Sequence, residues 1–120
     1  MVRGQEVVFY VMDLNKVVAH LDPMCGNLVF LHMELNPGAY IRNAAVKLER
    51  YHVRGDGVYR VYLEFADRQG ILHMDDVTEA RVEEGRVLFV GYDERERLAR
   101  TLVISLQPLS MGQNGEREGA

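Results

Sequence analysis

Hydrophobic and polar residues alternate along most of the chain, in short runs separated by turn residues. The clearest run extends from Val58 to Phe65, where Arg60, Tyr62 and Glu64 share one face and tyrosine and apolar residues share the other. Such a repeat of two is typical of a strand with one buried face. We therefore predict an all-β fold, a single antiparallel β-barrel or β-sandwich of roughly 7–9 short strands.

Turn residues define the hairpins of this fold. The segment Arg54-Gly55-Asp56-Gly57 predicts a tight hairpin, and Glu83-Glu84-Gly85 predicts a second one. Between Ile41 and Val53 the apolar repeat changes phase, because Val46 and Leu48 share one face and Tyr51 and Val53 lie in the opposite phase. A β-bulge near Glu49-Arg50 would reconcile the two halves of one long strand.

No stretch of ten or more residues keeps the apolar spacing of a helix, so we expect strands throughout, including Gln5–Met12 and Lys16–Leu21. The alternation predicts a core formed by Val7, Phe9, Val29, Leu31, Tyr59, Val61, Leu63, Phe65, Leu88, Leu102 and Ile104. Residues 1–107 would form the all-β domain, and residues 108–120 would form a disordered, flexible tail with too little apolar surface to dock.

Three runs are apolar on both faces: Val7–Met12, Val87–Phe89 and Leu102–Ile104. They would be either central strands or strands whose outer face is covered by a partner subunit. Closed symmetric assemblies bury such faces. We therefore predict a non-catalytic binding or interaction module of unknown ligand that self-associates as a homo-oligomer.

Composition narrows the class of protein further. The 120 residues suit one domain, and the single cysteine excludes an internal disulfide and a zinc cage with several cysteines. No apolar run approaches the length of a membrane span, and Glu6 interrupts the only stretch where a secretory signal would lie. We expect a cytoplasmic protein with no membrane partner.

The sequence gives little support for catalysis. It lacks a Gly-x-Ser-x-Gly motif and a glycine-rich phosphate loop, so we assign no catalytic residue and no required cofactor. His73 with Asp75 and Asp76 could act as an acid–base group, or could be the polar end of a strand.

Four residues form a candidate metal or small-ligand site. His32 and Glu34 are two positions apart on a predicted strand and would point to the same face. Cys25 lies in the loop between the segments that carry His20 and His32, so these side chains could converge on one ion.

The segment 40–62 is a candidate surface for single-stranded nucleic acid. It contains five basic and two acidic residues and four of the six tyrosines, in a chain with a net charge of −4. Bases stack on aromatic rings while arginines hold phosphates. Arg50, Arg60 and Tyr62 would share the outer face of this hairpin, although the negative charge of the whole chain disfavours a polyanion.

Overall fold

The structure is a computed structural model that describes residues 12–110. Those residues form helix α1 (Leu14–Leu21), a 3₁₀ turn (Asp22–Met24) and seven strands, β1 (Leu28–Leu35), β2 (Ala39–Gly55), β3 (Tyr59–Phe65), β4 (Gly70–Val77), β5 (Glu79–Glu83), β6 (Arg86–Tyr92) and β7 (Leu98–Ser105). All neighbouring strands are antiparallel, in the order β4-β3-β2-β1-β7-β6-β5. The predicted all-β, antiparallel fold is confirmed.

The sheet curves so that β4, at one edge, approaches β6 near the other edge. Strands β4 and β5 are the outermost strands, yet only Thr78 separates them along the chain. The Thr78 amide donates to the Val90 carbonyl over 2.8 Å, which ties this corner to β6. A Cβ atom at Gly91 would overlap the Asp76 carbonyl oxygen, so β4 and β6 approach this closely only because residue 91 is a glycine.

Strand β2 belongs to both halves of the sheet. Its first part pairs with β1, and its second part, from Leu48 onward, pairs with β3. The register shifts between Leu48 and Arg50, which leaves Glu49 as the extra residue. The bulge predicted from the phase change is confirmed, and it keeps Val46, Leu48, Tyr51 and Val53 all packed against the core.

The core lies on the inner face of the curved sheet. Six of the predicted core residues are buried there, namely Val29, Leu31, Val61, Leu63, Leu102 and Ile104, and Tyr59 and Phe65 pack against them half-buried. Leu88 was wrongly predicted, because Val87 and Phe89 point inward and alternation sends Leu88 to the outer face. Val7 and Phe9 lie outside the described residues, as does the predicted strand Gln5–Met12 apart from buried Met12.

The segment Lys16–Leu21 is helical, and its prediction as a strand was wrong. Asp13 caps the helix by accepting a hydrogen bond from the Lys16 amide. Leu14, Val17 and Leu21 follow a helical spacing and pack into the core. The β-branched residues Val17 and Val18 favour a strand locally. The eight residues nevertheless form a stable helix, because Asp13 caps it and the core covers its apolar stripe.

The outer face of β1, β7 and β6 carries apolar residues too. Phe30, Leu88, Val90 and Val103 lie there, and we call this surface the apolar face. Val90 and Val103 are only 7% and 6% exposed in the single chain. The runs Val87–Phe89 and Leu102–Ile104 therefore belong to interior strands of the sheet, one of the two interpretations that the sequence allowed, and Val7–Met12 lies outside the described residues apart from Met12.

The chain stays attached to the sheet beyond β7. The Ser105 hydroxyl donates to the Gln107 carbonyl, and the Asn43 side chain exchanges two hydrogen bonds with the backbone of Leu109. Of the predicted tail 108–120, residues 111–120 lie outside the described part of the chain. Within residues 12–110, no helix has the length and apolar character needed to cross a membrane.

Candidate functional site

The outer face of β2, β3 and β4 is polar and open to solvent. Alternation after the Glu49 bulge turns Arg50, His52 and Arg54 outward on β2, and register places them beside residues of β3 and β4. We call this surface the polar face; it consists of Arg50, His52, Arg54, Arg60, Tyr62, Glu64, His73 and Asp75. It is the largest concentration of chemically active side chains in the described structure.

Three rings form a row across the middle of the polar face. His52 pairs in register with Tyr62, and Tyr62 pairs with His73. The ring centroids of His52 and Tyr62 are 5.8 Å apart with planes at 40°, and those of Tyr62 and His73 are 6.1 Å apart at 68°. The rings therefore lean against one another and do not form a flat, coplanar platform.

Each of two carboxylates joins one arginine to one histidine. Glu64 lies 3.1 Å from Arg50 Nε through one oxygen and 3.6 Å from His52 Nε2 through the other. Asp75 Oδ1 lies 3.2 Å from Arg60 Nε and 3.0 Å from His73 Nε2. These are exposed contacts, so each contributes little to stability, but they hold the arginines and rings in place.

Arg54 and Arg60 form a cross-strand pair of like charge. The two residues lie directly opposite each other in the β2–β3 register. Like charges at opposed positions destabilise a sheet. Asp75 neutralises Arg60 in part, whereas within residues 12–110 the Arg54 guanidinium has neither an ion pair nor a hydrogen bond. The hairpin therefore presents one uncompensated cation beside a second arginine.

Two clefts share this arginine pair. One, of about 310 Å³, is lined by His52, Arg54, Arg60 and Tyr62. The other, of about 420 Å³, lies toward the hairpin turn and is lined by Arg54, Arg60, Gly55, Val58, Tyr59, Asp75 and Asp76. The first cleft is basic and aromatic, and the second combines the same arginines with an acidic rim.

A bulge in β4 creates that acidic rim. The register shift between Tyr59 and Val61 places both Asp75 and Asp76 opposite Arg60. Asp76 adopts a left-handed backbone conformation with φ 58°, and its carbonyl accepts a hydrogen bond from Arg100. The Asp76 carboxylate makes no hydrogen bond or ion pair with any described residue, although it lines the same cleft as Arg54.

The structure brings the three residues predicted for nucleic-acid binding, Arg50, Arg60 and Tyr62, onto one face. The other tyrosines of the segment 40–62 do not join them. Tyr51 and Tyr59 pack against the core, and Tyr40 is stacked under Arg42 on the part of β2 that pairs with β1. One aromatic residue between two tilted histidine rings is less than a stacking platform requires.

The predicted acid–base group is brought together in part. His73 and Asp75 share the outer face of β4 and are in contact, as a spacing of two on a strand predicts. Asp76 does not join this pair, because the bulge turns it toward the second cleft.

The four residues of the predicted metal site do not converge. His20 bonds to the Lys16 carbonyl of its own helix, and Cys25 packs half-buried against the core. His32 and Glu34 do share a face of β1, as predicted, but alternation places it opposite the core-facing Val29 and Leu31. In the described part of the chain, no three His, Cys, Asp or Glu residues are grouped to hold a metal ion.

Local environment shifts the pKa values of two of these four residues. Burial and the nearby Asp22 carboxylate raise the pKa of the Cys25 thiol. Burial and the charge of Arg42 lower the pKa of His32, against a smaller opposite effect of Glu34. Cys25 is therefore a protonated thiol at neutral pH, and His32 favours its neutral form.

The sequence interpretation missed His52, Arg54, Glu64 and the cleft-lining role of Asp76. The predicted hairpin contained enough information to find the first two. A turn at Asp56-Gly57 that pairs Gly55 with Tyr59 also pairs Arg54 with Arg60 and His52 with Tyr62. Asp76 could not be found this way, because its position depends on a bulge that alternation does not predict.

Comparison with known proteins gives relatives without an assigned function. A family model described as "Protein of unknown function (DUF1806)" matches residues 11–109. An "Uncharacterized protein YojF" of Bacillus subtilis (strain 168) is 32% identical over 110 residues, which cover 79% of this chain and 93% of that protein. The crystal structure of the Bacillus subtilis YojF protein aligns with a TM-score of 0.71 at 32% identity, over 81% of this chain and 93% of that one.

Proposed function

The chain belongs to the family described as protein of unknown function (DUF1806), and within that family we propose that it is a non-catalytic module that binds an oxyanion on its polar face. The bound group is a phosphate or a carboxylate, held between Arg54 and Arg60 in the cleft that His52 and Tyr62 complete. The fold is shared with the YojF protein, and the support for an oxyanion site comes from this chain's own residues.

The observation that carries the proposal is the opposed arginine pair. Without a ligand, the pair costs stability because two like charges occupy directly opposed positions of the hairpin. An oxyanion between them would offset that repulsion and would accept hydrogen bonds from both planar donor groups. Local arrangements that cost stability are expected mainly at functional sites.

The surroundings of the pair favour binding over catalysis. A nucleophile would need an adjacent base, and the polar face offers no serine, cysteine or threonine beside its histidines. Both histidines are already in contact with carboxylates, and of the two only His52 lines the cleft. His52 is placed to donate to a bound anion or to screen it from solvent.

The test is titration with inorganic phosphate and, separately, with acetate, followed by isothermal calorimetry at low salt. We expect a dissociation constant on the order of 1 mM for the better anion, typical of an open site with two charges. Arg54→Gln and Arg60→Gln should each weaken binding about two- to fivefold, the loss of one exposed charge contact. Arg81→Gln is the matched control, because Arg81 lies on β5 and pairs with Glu79.

A salt titration separates specific anion binding from binding of a polyanion. A short single-stranded oligonucleotide whose affinity exceeds that of phosphate by orders of magnitude, and falls steeply with salt, would favour the nucleic-acid alternative. Equal affinity per phosphate group would favour the small-anion site. Absence of binding of both anions to the unmodified protein would end the proposal.

Self-association is a second proposal, supported by a different surface. Leu35, Tyr40, Ile41 and Leu98 are 39–67% exposed, and they lie at the end of the sheet where β1 turns into β2 and β7 begins. Exposed apolar side chains at one end of a sheet suit contact between copies. Light scattering should give a multiple of 13.7 kDa, reduced to the monomer by Ile41→Asp; a monomer of the unmodified protein would contradict it.

A cytoplasmic location stays a prediction.

A further inference from the structure

We propose that the ligand of the polar face is a bipolar small molecule, with an anionic group held at Arg54 and Arg60 and an amine held at Asp76. This inference rests on the proposed oxyanion site and goes beyond it by assigning the second cleft. The observation behind it is the arrangement of charges around the two clefts, which meet at the arginine pair.

Two charged groups at these clefts have no partner among the described residues. The Arg54 guanidinium and the Asp76 carboxylate line the same 420 Å³ cleft, yet no ion pair joins them. The neighbouring charged residues are different, because Arg60 and Asp75 are already paired with each other. The cleft therefore presents one free cation and one free anion that do not neutralise each other.

A bound molecule with opposite charges at its two ends would neutralise both groups. Its phosphate or carboxylate would lie at the arginines, and its ammonium group would lie at Asp76. Val58, which is 51% exposed, and Tyr59 line the same cleft and offer apolar surface to the carbon chain between the two ends. The site thus matches amino acids, aminoalkyl phosphates and related amine-bearing acids as a chemical class.

The β4 bulge is what makes this placement available. In a regular strand, Asp75 and Asp76 would point to opposite faces, and Asp76 would point toward the core. The left-handed conformation at Asp76, with φ 58°, turns the carboxylate to the rim of the cleft instead. An asparagine tolerates the same backbone conformation, so Asp76→Asn removes the charge with little strain.

The experiment compares matched pairs of probes by calorimetry. O-phosphoethanolamine, 3-aminopropyl phosphate and 4-aminobutyl phosphate are each titrated beside the alkyl phosphate of the same length. We expect the amine to strengthen binding about two- to fivefold for at least one length, the contribution of one exposed ion pair. In Asp76→Asn that gain should disappear, while the affinity for the plain alkyl phosphate should stay the same or rise.

The sign of the amine's effect decides the inference. Near two arginines, an ammonium group that is not held by Asp76 would weaken binding through repulsion. Equal or weaker binding of every aminoalkyl phosphate, with plain alkyl phosphates still bound through Arg54, would overturn the bipolar ligand and leave the oxyanion site intact. Failure of the plain alkyl phosphates to bind would overturn both. Glu79→Gln is the control for loss of a carboxylate outside the clefts.

Discussion

The apolar face and the polar face are both outer surfaces of the same sheet, but alternation places apolar side chains on one and charged or aromatic side chains on the other. On the apolar face, Val90 and Val103 are nearly as buried as the core, although they point away from it. On the polar face, the corresponding outward positions carry Arg54, Arg60 and Tyr62, which line an open cleft. One half of the sheet thus carries buried apolar side chains on its outer side as well, and the other half has an open cleft on its outer side.

This difference indicates which half can bind without disturbing the fold. The inner sides of both halves pack into the same core, so the fold depends on both. The outward residues of the polar face can be replaced with the apolar packing left intact, because none of them belongs to the core cluster. We therefore expect substitutions on the apolar face to change stability and substitutions on the polar face to change binding.

The largest expected effect comes from placing a charge on each face. Val103→Asp would bury an unpaired carboxylate at a position that is 6% exposed, and should lower the free energy of unfolding by about 3 kcal/mol or more. Ile71→Lys, at a 62% exposed position opposite Glu64, should change it by less than about 0.5 kcal/mol. Urea denaturation measures both, and similar losses for the two variants would contradict the distinction.

Substitutions at the corner where β4 approaches β6 should have the next largest effect on stability. Gly91→Ala would force a methyl group against the Asp76 carbonyl and Arg100, at a cost of about 1–3 kcal/mol. Gly57→Ala has open space around it but a φ of 103°, so its cost of about 1 kcal/mol is conformational. Thermal unfolding compares them. If Gly91→Ala proved the milder change, the close approach of β4 and β6 would be wrong.

The hydrogen bond that ties the 3₁₀ turn to β2 should make a smaller contribution to stability, and this contribution should decline at high pH. The Tyr51 hydroxyl donates to Asp22 over 2.5 Å, and burial together with this carboxylate raises the pKa of Tyr51 well above its ordinary value. The resulting stability is complete below a pH of about 10 and is lost as the phenol ionises above it. Tyr51→Phe should cost about 1 kcal/mol at neutral pH.

The same variant should also lose the alkaline dependence. Denaturation midpoints between pH 8 and pH 11 measure it for both proteins. Parallel curves for the unmodified protein and Tyr51→Phe would show that Tyr51 does not couple to folding.

The smallest expected effect concerns His32 beside the apolar face. Burial and Arg42 lower its pKa, so its contribution to stability is present above a pH of about 6.5 and is lost as the pH falls below that value. His32→Gln should flatten the acid side of the stability profile, with chemical denaturation at pH 5 and pH 7.5 as the measurement. An unchanged slope in the variant would contradict the shift.

Alternation alone was enough to predict much of this architecture. The hairpin that joins β5 to β6, the inward set of β3 and the bulge at Glu49 all follow from apolar phase and glycine turns. Helix α1 was missed because eight residues are too few for a repeat to outweigh the strand preference of Val17 and Val18. Its apolar stripe is stabilised by the core, which a local pattern cannot show.

The candidate site was predictable only in part, for a similar reason. Arg60 and Tyr62 follow from the outward phase of β3, and hairpin register supplies Arg54 and His52. The approach of Asp75 and Asp76 to Arg54 and Arg60 requires a third strand and a bulge within it. The four residues proposed as metal ligands do not converge, because proximity along the chain says little about proximity in space. His32 lies on the outer side of β1, whereas Cys25 packs against the core on the inner side.

The most direct test of the central claim is amide chemical-shift mapping of the ¹⁵N-labelled protein during a phosphate titration. The account predicts saturable shifts at residues 52–62 and 73–76, which surround the arginine pair, with little change at residues 87–90 and 101–105 on β6 and β7. Arg54→Gln should suppress those shifts. Shifts centred on β6 and β7, or shifts that persist unchanged in Arg54→Gln, would contradict it.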